Sequence, residues 1–252
     1  MTTTVGVMLD ARDGVATLQL NRPHCGNAID LPTARALHAA LRELAEWDVG
    51  AVVITGRGDT FCAGGDVRAM ASTDNLAAFL AELAEVVHES LLLLRELAVP
   101  VVAAVNGPAA GAGLGLVLSA DLVLASRAAR FLCAYGSIGL SPDCGVSALL
   151  PAVVGARRAA LLALTDLSLS ADQALAWGIA TDICEPAALA ERATEIAYRL
   201  ATRPRIATGE TARLLRAASS RTYAQQLADE ATTIARLGTT ADAARLVNRF
   251  VE

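Results

Sequence analysis

Val99-Pro100-Val101-Val102-Ala103-Ala104-Val105-Asn106-Gly107-Pro108-Ala109-Ala110-Gly111-Ala112-Gly113-Leu114-Gly115 reads as a buried strand, a glycine-rich turn and the start of a helix. The run 101–105 is apolar without alternation, the pattern of a strand covered on both faces. Asn106-Gly107-Pro108 stops it, and a helix is expected over about 111–119. A helix that starts straight after such a turn leaves backbone N–H groups unpaired and pointing outward. The apolar stretch from Val101 to Ala125 is long enough to imitate a membrane span. Its Asn-Gly-Pro turn, its glycines and Asp121 interrupt it, which favours strand, turn and helix instead.

The same grammar recurs upstream. Val49 to Thr55 reads as a buried strand, and Phe61-Cys62-Ala63-Gly64-Gly65-Asp66 is a second glycine-rich loop before a short helix start at 66–71. Residues 5–9 and 14–20 read as strands around the turn Asp10 to Gly14. A helix follows over about 31–47, with Asp30 as N-cap and Pro32 in its first turn. Leu76, Phe79, Leu80, Leu83, Val87, Leu91 and Leu94 fall at helical spacing, so a long helix spans about 75–97. Short strands are expected at 122–125 and 129–133. From Ser147 the chain turns mostly helical, with a capping box at Ser170 to Gln173 and a helix stop at Gly178. This order gives an α/β fold of two regions: a core over 1–185 that carries the site, and alanine-rich amphipathic helices over 186–252 for oligomerisation or as a lid.

Of the 252 residues 54% are hydrophobic, so a large core is available, and the net charge of −5 argues against nucleic acid as a partner. Five scattered cysteines form no C-x-x-C pair, which fits a reducing cytoplasm rather than a disulfide framework. His24, His38 and His88 show no metal-ligand spacing, and no signal peptide is seen. Gly111-Ala112-Gly113-Leu114-Gly115 lacks the third glycine of a dinucleotide fingerprint, with Leu116 in its place. Ser137 and Cys144 have no nucleophile elbow around them.

Two loops of this kind can aim two N–H groups at one oxygen, as an oxyanion hole does. A nearby carboxylate then completes a site for proton abstraction beside a carbonyl. Asp143, in Gly139-Leu140-Ser141-Pro142-Asp143-Cys144-Gly145, supplies the carboxylate, although Pro-Asp-x-Gly is also ordinary turn chemistry.

Taken in order, Leu20-Asn21-Arg22-Pro23, Asn27-Ala28, the Phe61 to Asp66 loop, Pro100 to Gly107, Gly139-Leu140, Pro142-Asp143 and Ala174 to Ile179 resemble the crotonase superfamily, the enoyl-CoA hydratase/isomerase family. The resemblance covers nearly the whole chain. It implies a spiral of ββα units with a C-terminal helical region, assembled as trimers or pairs of trimers. It places one oxyanion N–H on Gly65 and the other on Ala112, where most members have glycine. It assigns an acyl-CoA thioester as the substrate, with its adenine end held by the first loop: Ala63, Gly64, Asp66, Val67 and Arg68. Arg22 and Arg68 become candidates for the phosphates. No metal and no separate cofactor are expected, because coenzyme A enters as part of the substrate.

Hydration needs two carboxylates, one to activate water and one for the α-carbon proton. By the family pattern these positions hold Gly115 and Tyr135, so the resemblance favours isomerisation with Asp143 as the one acid/base. The stretch Phe131 to Gly145 looks most like the ring-epoxide isomerases of phenylacetyl-CoA breakdown. That shuttle calls for Asp143 in a largely apolar pocket, its pKa raised by desolvation. Two alternatives stand beside it. One is dehalogenase-like hydrolysis, with Asp143 attacking a ring, His88 activating water and Tyr135 in place of the usual tryptophan. The other is a non-catalytic acyl-CoA-binding paralogue.

Overall fold

Strand β2 (Val7–Arg12) turns back as β3 (Val15–Leu20) through a two-residue turn, Asp13-Gly14, with both residues at positive φ. That backbone matches the right-handed twist of the paired strands, so the hairpin runs closer to its tip than the expected turn at 10–14. The computed structural model describes every residue except Met1, Val5, Asp166, Phe250 and Glu252. Val5, the expected first strand residue, and the two positions near the C-terminal end therefore lie outside the described residues.

β1 (Thr2–Thr4) pairs antiparallel with β2. Helix α1 (Leu31–Ala45) begins at Asp30, whose carboxylate accepts from the Thr33 amide, and buries Ala34, Leu37, Leu41 and Leu44 on one face. β4 (Ala51–Gly56), β5 (Val101–Val105) and β7 (Leu122–Ser126) continue the sheet in parallel from β3. Their near-continuous burial is that of strands covered on both faces. Between them lie α2 (Val67–Ala71), α3 (Leu76–Glu96, capped by Asn75), the two-residue β6 (Ala109–Ala110) and α4 (Ala112–Leu118).

A second, three-stranded sheet joins β6, β8 (Arg130–Leu132) and β9 (Ser168–Ser170). α5 (Val146–Val154) and α6 (Ala156–Leu164) precede β9, and α7 (Ala171–Trp177) follows it with the expected Ser170–Gln173 capping box and Gly178 stop. β10 (Asp182–Cys184) closes the large sheet beside β7. α8 (Leu189–Ala201) covers that sheet's second face through Leu189, Ala193 and Ala197. α9 (Arg205–Ala217), α10 (Tyr223–Leu237) and α11 (Ala241–Arg249) complete the helical end. No helix among the described residues is long and apolar enough to cross a membrane.

The helical end is tied down by a buried charge. Arg216 of α9 gives both edges of its guanidinium to the Asp121 carboxylate and to the carbonyls of Arg95, Leu97 and Val99. Asp121 also accepts the Val101 amide at the start of β5. One ion pair thus joins the helical end to the strand that leads into the second glycine loop.

Candidate active site

The two glycine loops are laced together by their backbones. Phe61 and Cys62 both donate to the Pro108 carbonyl, and Ala110 donates back to Cys62. The approach is too close for side chains. Gly64 has φ +94°, and a β-carbon there would stand 3.0 Å from the Ala110 oxygen and 3.6 Å from the Ala112 nitrogen. Gly111, at φ +53°, takes the left-handed turn ahead of α4. That leaves Ala112 in ordinary helical conformation, so a side chain there costs its amide nothing. The amides of Gly65 and Ala112 make no hydrogen bond among the described residues, and both residues line one cavity.

Asp143 lines the same cavity. The Tyr135 hydroxyl donates to its Oδ1 at 2.6 Å. The residues flanking this pair carry backbone strain: Ala134 (φ +61°) precedes Tyr135, and Cys144 (φ +51°) follows Asp143. Burial, followed by the neighbouring Cys144 and Asp143, pushes the Tyr135 phenol far above its ordinary value, so it remains a donor. Burial and the adjacent carboxylate also push up the Cys144 thiol, which makes it a poor nucleophile. Burial lifts Cys62 to about 12, partly offset by the Gly64 amide.

His88 projects from α3 towards the same point. Its Nε2 accepts the Cys144 amide at 3.1 Å and lies 3.9 Å from Asp143 Oδ2. The hydrogen bond assigns the ring proton to Nδ1. Asp143 keeps 38% of its side-chain exposure and His88 47%.

Gly115, where the resemblance puts the first of the two hydratase carboxylates, is hemmed in by its neighbours. A β-carbon there would stand 2.5 Å from the Cys144 oxygen and 2.8 Å from the Cys144 β-carbon. The loop that carries Asp143 occupies the space that a longer residue at 115 would need. Tyr135, where the resemblance puts the second carboxylate, is a donor to Asp143.

The cavity holds about 510 Å³. Its apolar wall comes largely from α3, through Leu80, Leu83, Ala84 and Val87, with Met70 pressed over Gly65. The N-terminal half of α3 therefore lines a cavity, while its C-terminal half fills the core. Of the two arginines expected at phosphate, Arg22 is committed elsewhere. It donates to the Ala28 carbonyl at 2.6 Å and pairs with Asp30 and Asp66, the N-cap residues of α1 and α2. Arg68 is exposed, and its guanidinium makes no hydrogen bond or ion pair among the described residues. Asp66 caps α2 through the Arg68 and Ala69 amides, and Ala63 and Val67 stand exposed at the cavity rim.

The family model for enoyl-CoA hydratase/isomerase matches residues 10–252. The chain belongs to that family. Its sequence is 36% identical over 88% of its length to a 1,2-epoxyphenylacetyl-CoA isomerase from Escherichia coli, covering 86% of that protein. It is likewise 36% identical to a 4-chlorobenzoyl coenzyme A dehalogenase from an Arthrobacter species, over 79% of this chain and 73% of the relative. A solved enoyl-CoA hydratase of Mycobacterium smegmatis superposes with a TM-score of 0.92 at 30% identity, covering 98% of this chain and 96% of that one. The chain thus has the hydratase/isomerase fold, while relatives of differing chemistry share it. Two features of this family member escape a linear reading: the Cys144 backbone filling the space beside Gly115, and Met70 lying over Gly65. Both are contacts between residues whose spacing along the chain carries no periodic signal.

Proposed function

We propose that this family member is an acyl-CoA isomerase that moves a double bond or opens a ring epoxide through an enolate. The thioester oxygen accepts from the Gly65 and Ala112 amides, each donor worth about 3 kcal/mol as charge develops. Asp143 removes a proton from one carbon and returns it to another, through Oδ2, the oxygen that Tyr135 leaves free. The apolar wall from α3 keeps water from the enolate. The observation that carries this reading is that one cavity is lined by the Asp143 carboxylate, held by Tyr135, and by the Gly65 and Ala112 residues, whose amides are unpaired among the described residues. The filled space at Gly115 supports it against hydration. In the same proposal the Ala63 to Arg68 loop holds the coenzyme A end, with Arg68 free for phosphate. The enzyme acts in the cytoplasm, as a trimer or hexamer, without a separate cofactor.

The 3.9 Å approach of His88 to Asp143 favours a second, hydrolytic reading in which Asp143 attacks an aromatic ring and His88 activates water. It weighs less here, because the Nε2 lone pair is already taken by the Cys144 amide. Product analysis with crotonyl-CoA, a 3-enoyl-CoA and 4-chlorobenzoyl-CoA separates the readings. Double-bond migration without water uptake, falling by about 10²–10⁴-fold in Asp143→Asn, is the expected result. Chloride release would promote the hydrolytic reading, and full turnover by Asp143→Asn would refute both.

A further inference from the structure

His88 stands alone in the sequence, 55 residues before Asp143, yet the fold brings the two together with Cys144. A ring nitrogen of His88, a carboxylate oxygen of Asp143 and Cys144 Sγ all lie within 4.8 Å of one another. Nitrogen, oxygen and sulfur donors in one cluster are the mixed set that zinc and cobalt(II) accept, and magnesium and calcium do not. We propose that His88, Asp143 and Cys144 form a binding site for a thiophilic divalent cation of the Zn²⁺ class. On the reading of Asp143 as acid/base, a cation bound there shuts the enzyme off reversibly.

The geometry asks that His88 give up the Cys144 amide and that the donors close by about 1 Å. Donors around a tetrahedral zinc ion lie about 3.3–3.7 Å apart, given zinc–ligand bonds of about 2.0–2.3 Å. The widest pair here must therefore close by about 1 Å, while Nε2 and Oδ2 already stand 3.9 Å apart. The parts that must move are the parts able to move, since His88 and Asp143 are half-exposed at 47% and 38%. The part that must stay is fixed: Cys144 is buried, with its backbone against Gly115. Tyr135 holds Oδ1 and so orients the carboxylate to offer Oδ2 alone. Asp143 and Cys144 both line the cavity, from which water would complete the sphere. As the cation enters, the thiol proton passes to solvent and Nε2 releases the Cys144 amide, so the sulfur–zinc bond replaces the S–H bond.

The test titrates the intact protein, without reductant thiols, with CoCl₂ and separately with ZnCl₂. One cobalt per chain with a near-ultraviolet thiolate-to-cobalt band is expected, displaced by zinc and stripped by EDTA. Cys144→Ser should abolish the band. His88→Gln, whose side-chain oxygen can still accept from the Cys144 amide, should weaken binding about ten-fold or more. Absence of the band, or a band unchanged in both variants, would overturn the site and leave adventitious binding at other cysteines or histidines. If the cation binds with both dependences and turnover continues, the metal site stands and the acid/base role of Asp143 falls. If zinc binds and turnover stops until EDTA is added, both stand.

Discussion

Gly115→Ala separates stability from turnover. The added β-carbon would stand 2.5 Å from the Cys144 oxygen, whereas ordinary contact begins at 3.4 Å, so one side must retreat by 3.4 − 2.5 = 0.9 Å. α4 has no room to give: all of its residues are buried, and a β-carbon on Gly113 of the same helix would stand 2.3 Å from the Cys62 oxygen. The Cys144 peptide must therefore move, and Asp143 is its neighbour in the chain. Overpacking of this kind costs about 1–3 kcal/mol. Replacing a helical glycine by alanine returns about 1 kcal/mol. The net loss of stability should stay within about 2 kcal/mol by urea denaturation. On the proposed acid/base role of Asp143, a displacement of about 1 Å at its carboxylate should lower kcat about 10²-fold, with KM for the thioester little changed. A variant that keeps kcat within a few-fold of the parent would refute the argument that Gly115 makes room for the Asp143 loop. Hydration of crotonyl-CoA by Gly115→Glu would refute it more directly.

Tyr135→Phe removes the hydroxyl that holds Asp143 Oδ1, a hydrogen bond to a charged group worth about 1.5–3 kcal/mol; kcat should fall about ten-fold or more while thioester binding by calorimetry persists. Arg216→Met leaves Asp121 and three backbone carbonyls without their buried partner, and should cost about 3–5 kcal/mol in urea denaturation. The Cys62 thiol has its folded pKa at about 12, above the ordinary 9.0. The stability tied to this group is therefore complete below about pH 9 and is lost as pH rises towards 12, at up to about 1.4 kcal/mol per pH unit. Cys62→Ala should flatten the decline measured between pH 9 and 11, and an unchanged slope would refute the assignment.

The sequence carried the local elements because their signals are local. The unbroken apolar run 101–105, the Asn75 and Asp30 caps, the Ser170–Gln173 box and the Gly178 stop each need only a few neighbouring residues to act. The same holds for the glycine loops, whose order along the chain carried the resemblance to the hydratase/isomerase family. Boundaries were less legible where pairing decides them. The hairpin tip is at Asp13-Gly14 because Arg12 and Val15 pair across it, and no single-strand pattern reports that pairing.

The candidate site divides in the same way. By itself the sequence determined that two helix starts follow glycine turns and that Asp143 is available; the resemblance it carried implied that Gly115 and Tyr135 stand where hydratases have glutamates. Only the tertiary structure decided what these residues do to one another. It paired Arg22 with the Asp30 and Asp66 helix caps and left the Arg68 guanidinium without a partner among the described residues. It set Tyr135 on Asp143, His88 on Cys144, and Cys144 in the space beside Gly115. Those contacts join residues 8 to 56 positions apart through strained backbone at Ala134 and Cys144. Side-chain pairing at such separations leaves no periodicity or composition to read, because it depends on where whole strands and helices pack.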